Sequence, residues 1–135
     1  MGEPVMLEPE GLAPPIGQYS HVSRVAAGEL LFVAGQVAIS WEGNLVGRGD
    51  FEAQMRQVFT NLERALAAGG AGLHNVTKFT TYVVGAEHVD DFYRVRRELF
   101  GSLYPDGRYP PNTLVVVDRL VSPDLLLEIE AVAGV

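Results

Sequence analysis

The chain contains no cysteine. That removes disulfides, thiolate nucleophiles and cysteine metal sites together. No apolar run approaches the roughly 20 residues that span a bilayer, so no membrane partner is expected. The start, Met1-Gly2-Glu3-Pro4, lacks the basic stretch of a signal peptide, and a cytoplasmic location is the resulting expectation. The three histidines, His21, His74 and His88, are far apart, and none has the i, i+4 spacing of a helical metal pair. Basic residues are scarce, 10 against 17 acids, for a net charge of −7. Such a chain repels phosphate backbones unless its basic residues cluster. Arg94, Arg96 and Arg97 do lie together, but acids surround them, so no nucleic-acid partner is expected.

What remains is an ordinary globular composition, 47% hydrophobic and 20% charged over 135 residues. That is the size of one domain with a sizeable core. The reading is a single domain over 1–135 with residues 1–15 as an extended arm. Pro4, Pro9, Gly11, Pro14, Pro15 and Gly17 disfavour regular structure at that end. Ser20–Val25 and Leu30–Ala34 read as two strands of a hairpin turning at Ala27-Gly28-Glu29. Val37–Ser40 extends the second of them, and Trp41–Asn44 is a turn.

Asp50 is a good N-cap. After it, Phe51, Met55, Val58, Phe59, Leu62, Ala65 and Leu66 recur at three- and four-residue spacing. They mark one face of a helix of about five turns, ended by Gly69-Gly70-Ala71-Gly72. Val76–Val84 is β-branched and aromatic, hence a strand. Val89, Phe92, Val95, Leu99, Phe100 and Leu103 define the inner side of a second helix. Tyr104-Pro105-Asp106-Gly107 turns the chain toward a strand at Thr113–Asp118, and Arg119–Asp124 is a loop.

The last strand carries the sharpest chemical signal. Leu125-Leu126-Leu127-Glu128-Ile129-Glu130-Ala131-Val132 is an apolar run with two carboxylates two residues apart, so Glu128 and Glu130 share a side. A carboxylate taken from water without a partner is costly, so such a group is paired, protonated or put to use.

Strands and helices therefore alternate, and right-handed crossovers place both helices on one face of the sheet. The other face keeps Val, Leu and Ile residues that a monomer cannot leave exposed as a large patch. Self-association, sheet upon sheet, is the expected solution.

Four segments resemble one family: Ile16-Gly17-Gln18-Tyr19-Ser20, Leu31-Phe32-Val33-Ala34-Gly35-Gln36, Val76-Thr77-Lys78-Phe79-Thr80-Thr81-Tyr82-Val83, and Leu127-Glu128-Ile129-Glu130-Ala131-Val132-Ala133. In order and spacing they are similar to the RidA/YjgF/YER057c family of enamine and imine deaminases, also labelled endoribonuclease L-PSP. The resemblance implies an α+β, chorismate-mutase-like fold with a ferredoxin-like β-β-α-β-α-β arrangement. It also implies a homotrimer that binds a small molecule at subunit interfaces without a cofactor. Carried over by position, Tyr19 would line the cleft, Gly35 would bring its backbone near the ligand, and Glu128 would hold the hydrolytic water. Glu130 is read as structural or solvent-facing.

One departure stands out. Where the deaminases read Pro-Ala-Arg-Ser/Thr, with an arginine that grips the substrate carboxylate, this chain reads Pro110-Pro111-Asn112-Thr113. An amide carries no charge and cannot make the bidentate fork. Asn112 remains a candidate ligand contact. Gln18 stands where proline is common, and Arg96 where the second helix often has asparagine. Arg96 and Arg108 are the two candidates for the missing charge, although an arginine on a helix or turn is ordinarily solvated. Three functions stay open: a cofactor-free hydrolase of imines or enamines, a non-catalytic small-molecule-binding trimer, and a ribonuclease. The last is suggested by the older label alone and opposed by the net charge.

Overall fold

Asp50 accepts a hydrogen bond from Ala53 N–H and starts helix α1, Phe51–Ala68. The computed structural model describes residues 2–135 and contains a second long helix, α2, Val89–Leu103. The inner stripe of α1 is the expected one, with Phe51, Met55, Val58, Phe59, Leu62 and Leu66 buried. Gln54 joins them. Its amide donates to Gly47 and Asp124 carbonyls and accepts from Leu126 N–H, so this buried polar group is fully used.

The strands are β1 (Val5–Leu7), β2 (Val22–Arg24), β3 (Leu30–Gln36), β4 (Val76–Val84), β5 (Asn112–Val117) and β6 (Leu127–Gly134). Four of them form the main sheet in the order β3-β6-β4-β5. β4 and β5 are parallel across the α2 crossover, and β6 runs antiparallel to both β3 and β4. The fold is α+β, with both helices on one face of a mixed sheet. Phe59, Phe79 and Phe100 form an edge-on aromatic cluster between helices and sheet. Among the described residues, no helix is long and apolar enough to cross a membrane.

The hairpin expected from residues 20–34 does not form. β2 pairs with β1, and β3 pairs with β6. The segment between β2 and β3 wraps the C-terminus instead: Gly28 and Glu29 N–H both donate to the Val135 carbonyl. Part of the arm is thereby regular, because Val5-Met6-Leu7 lies between Pro4 and Pro9 and keeps every ladder donor.

β6 alternates rather than being buried throughout. Leu127, Ile129, Ala131 and Ala133 are buried under the helices, while Glu128, Glu130 and Val132 face the other side. That other side has no helix over it. Phe32 is 77% exposed there, Leu30 is exposed on the same strand, and Val115 is exposed on β5 at the far edge of the sheet. The bare apolar face expected from the strand pattern is present.

Candidate functional site

Glu128 sits on the uncovered face, opposite Tyr82 in the β4–β6 ladder. Its immediate neighbour is created by a bulge. Between the pairs Val33–Ala131 and Gln36–Ile129, Ala34 and Gly35 together oppose Glu130. Such an extra residue bends the strand and re-aims what lies beside it. A Cβ added at Gly35 would lie 1.8 Å from Glu128 Oε2 and 2.8 Å from its Cγ. The carboxylate therefore lies directly on the glycine backbone, in space that any side chain would fill.

The two acids of β6 have separate roles. Glu130 accepts a short hydrogen bond from the Tyr82 hydroxyl. That bond, with burial and the nearby charges of Glu130 and Glu128, holds the tyrosine above its usual pKa. Glu128 makes no ion pair and no side-chain hydrogen bond among the described residues. It is half-buried and uncommitted.

Tyr19, Arg96 and Asn112 lie elsewhere, around a cavity of about 440 Å³ shared with Ile16, Gly17, Tyr93, Arg97 and Leu114. The strand register explains the separation. Asn112 pairs with Phe79 and Glu128 with Tyr82, three residues apart on β4, so the two side chains leave opposite faces of the sheet. Asn112 Oδ1 accepts from the buried Thr81 hydroxyl at 2.7 Å, which places it on the helix side. One protomer thus keeps the candidate residues in two separate places: Glu128 over Gly35, and the Tyr19–Arg96–Asn112 cavity.

Arg96 is the residue the sequence misjudges. It is only 2% exposed. Its guanidinium carbon lies 5.0 Å from the Phe92 ring centre, 5.5 Å from Tyr93 and 5.9 Å from Tyr19. A Cβ on Gly17 would stand 2.7 Å from Nη2, so the arm closes tightly over it. Arg96 Nε is the one buried side-chain nitrogen or oxygen without a hydrogen-bond partner among the described residues. Burial pushes its pKa down, the neighbouring Tyr93 and Tyr19 oppose that, and Arg97 adds to it. Helix arithmetic carries the signal: position 96 is four residues from both Phe92 and Phe100, inside the buried stripe. Tyr93, three residues before Arg96, is a further wall of the cavity absent from the sequence reading.

Arg108 is not in this cavity. It is exposed, leans toward Asp106, and lines a separate hollow of about 770 Å³ beneath the arm. His21 lines that hollow too, with Nε2 2.6 Å from the Ala13 carbonyl. No group of three or more His, Cys, Asp or Glu is close enough to hold a metal among the described residues.

The chain belongs to the endoribonuclease L-PSP family, whose sequence model matches residues 10–135. A RutC family protein of Pyrococcus horikoshii is 36% identical over 124 residues, 92% of each chain. The 3-aminoacrylate deaminase RutC of Acinetobacter baylyi is 30% identical over 127 residues, 94% of each chain. Among solved structures, the conserved Rid-family protein YyfB of Yersinia pestis superposes with a TM-score of 0.87 at 34% identity, covering 98% of this chain and 99% of that one. The RidA-like resemblance and the fold it implies therefore hold, and some relatives are named as deaminases.

Proposed function

We propose that the protein is a cofactor-free hydrolytic deaminase of small enamine- or imine-type compounds, working at clefts between the copies of a homotrimer. The observation that carries this reading is Glu128: an unpaired carboxylate on the bare sheet face, laid over a bulge glycine. A carboxylate so placed holds a water by accepting its proton. The water oxygen bonds to the imine carbon as Glu128 takes that proton. Glu128 passes that proton to nitrogen, giving a carbinolamine, and then takes the hydroxyl proton and passes it to nitrogen in turn as the carbon–nitrogen bond breaks, so ammonia leaves and a carbonyl compound remains. An enamine first gains a proton at carbon and enters as the imine.

The Tyr19–Arg96–Asn112 cavity is the second half-site and supplies binding. Tyr19 lines it, Asn112 offers its amide N–H groups and Arg96 brings positive charge, while Gly35 brings its backbone near the ligand from the side of Glu128. Packing the bare face of one copy against another covers Phe32 and Val115 and brings Glu128 toward a neighbour's edge. Deaminase activity in a relative of similar length supports this assignment. Ammonia release from imines generated in situ tests it. Wild type should release ammonia faster than the uncatalysed rate, and Glu128→Ala should not. Equal rates for the two would sink the role of Glu128.

Asn112 supports a second reading, a non-catalytic small-molecule-binding trimer. Its oxygen is already engaged by Thr81, and it lacks the charge that the deaminase arginine supplies. Turnover of any ligand that binds would count against that reading.

A further inference from the structure

The two acids of β6 compete for one hydroxyl. Glu128 and Glu130 leave the same side of the strand, two residues apart. Tyr82 stands directly opposite Glu128 in the β4–β6 ladder, and Thr80 stands opposite Glu130. A directly opposite pair is the closest cross-strand contact, and a diagonal partner remains in reach of an aromatic side chain. Register alone therefore offers the Tyr82 hydroxyl to Glu128 first. The bond it makes is the diagonal one, to Glu130.

The neighbours on β5 do not draw the hydroxyl away. The ladder partner of Tyr82 there is Val115, which has no side-chain acceptor. The Thr113 hydroxyl, diagonal to Tyr82, already accepts from Lys78 Nζ at 2.7 Å. The bond to Glu130, with burial and the charges of both acids, holds the phenol above its usual pKa, so it remains a donor at neutral pH.

Which acid accepts matters for chemistry. A hydrogen bond to a carboxylate favours its charged form and makes it a weaker base. It also occupies an oxygen that could hold water. With the hydroxyl on Glu130, Glu128 is spared both effects. A plain staple between β4 and β6 would be served equally well by either acid, so the diagonal choice needs its own reason.

We propose that Glu130 is a positioning residue, which draws the Tyr82 hydroxyl away from Glu128 and so leaves Glu128 free to take a proton from water. Glu130 acts through Tyr82 and touches neither water nor substrate. The proposal rests on the reading of Glu128 as the acting base.

The experiment compares ammonia release from an imine generated in situ by wild type, Glu130→Ala and Glu130→Ala/Tyr82→Phe, and adds a crystal structure of Glu130→Ala. With its acceptor gone, the Tyr82 hydroxyl should turn to Glu128 and stand within about 3 Å of a carboxylate oxygen. The value of kcat/KM should fall about tenfold or more. Removing that hydroxyl with Tyr82→Phe should bring activity back to within about threefold of wild type. A merely structural Glu130 predicts no such rescue, because the double variant lacks the cross-strand bond just as the single one does. Glu130→Gln keeps a neutral acceptor and should lose less activity than Glu130→Ala. It takes the place of the alanine variant if that fails to fold, again with rescue by Tyr82→Phe. Full activity in Glu130→Ala, a double variant no more active than the single one, or a Tyr82 hydroxyl that stays away from Glu128 in the variant structure would each overturn the proposal. Ammonia release by Glu128→Ala equal to wild type would instead bring down the reading of Glu128 as base, whatever position the hydroxyl takes.

Discussion

Gly35→Ala is the substitution with the clearest geometric consequence. The new Cβ would stand 1.8 Å from Glu128 Oε2, 2.6 Å from Cδ and 2.8 Å from Cγ. Comfortable carbon contacts begin near ~3.5 Å, so the side chain must leave from Cγ outward, not merely turn its carboxylate. The backbone is little affected, because the atoms in the way belong to a side chain on the uncovered face. A changed or off-rotamer glutamate costs about 0.5–1.5 kcal/mol. Restricting the unfolded chain by one methyl returns up to about 1 kcal/mol. The net change in melting temperature should therefore stay within about 5 °C. Activity should behave differently. A general acid–base group moved off its water loses about 10²-fold or more. The assay pairs a thermal melt with ammonia release from an imine generated in situ, each against Glu128→Ala. Near-native stability with activity reduced to the level of Glu128→Ala is the expected result. Activity within about twofold of wild type would refute the claim that the carboxylate works from its position over Gly35.

Two further predictions concern charge. Asn112→Arg alone should lower stability, because it places a third guanidinium, with Arg96 and Arg97, in a cavity without an acid. Adding Arg96→Asn to it should recover the loss, with a coupling of about 1 kcal/mol or more in a double-mutant cycle of denaturant melts; strict additivity would contradict the shared cavity. Glu52 accepts hydrogen bonds from Arg56 and Arg94, both at 3.0 Å, and joins the two helices. These bonds hold its carboxyl below the ordinary glutamate value of 4.5. The stabilisation is thus fully present above that value and is lost as pH falls through the lower folded one. Melting temperatures of wild type and Glu52→Gln should differ modestly at neutral pH and converge in acid, and a gap that widened in acid would contradict this sign.

Much of the fold is legible in the chain because its signals are local. The Asp50 cap, the stripe of α1 and the β-branched run of β4 each declare themselves within one segment, and all three form where expected. The hairpin fails for the opposite reason. Val22–Arg24 finds its partner in Val5–Leu7 across the proline-rich arm, and nothing within residues 20–34 names that partner. The shared side of Glu128 and Glu130 follows from strand alternation. Their different fates do not, since Tyr82 stands opposite Glu128 in the β4 register yet donates diagonally to Glu130, leaving Glu128 free. Arg96 was readable by helix arithmetic, but its charge argued for solvent while its spacing argued for burial, and the spacing prevailed. That Asn112 and Glu128 leave opposite faces depends on two strand registers at once, which no short segment encodes.

The central claim is that one working site is built from half-sites of different copies, and subunit complementation tests it most directly. Glu128→Ala and Arg96→Met variants, each purified alone, should release ammonia slowly. Unfolded together in equal amounts and refolded, they should form mixed oligomers in which about a quarter of the clefts unite an intact Glu128 with an intact Arg96 from a neighbour, and activity should return to about that fraction of wild type. No recovery in oligomers shown to be mixed would mean that Glu128 and Arg96 do not serve one cleft, and would contradict the account.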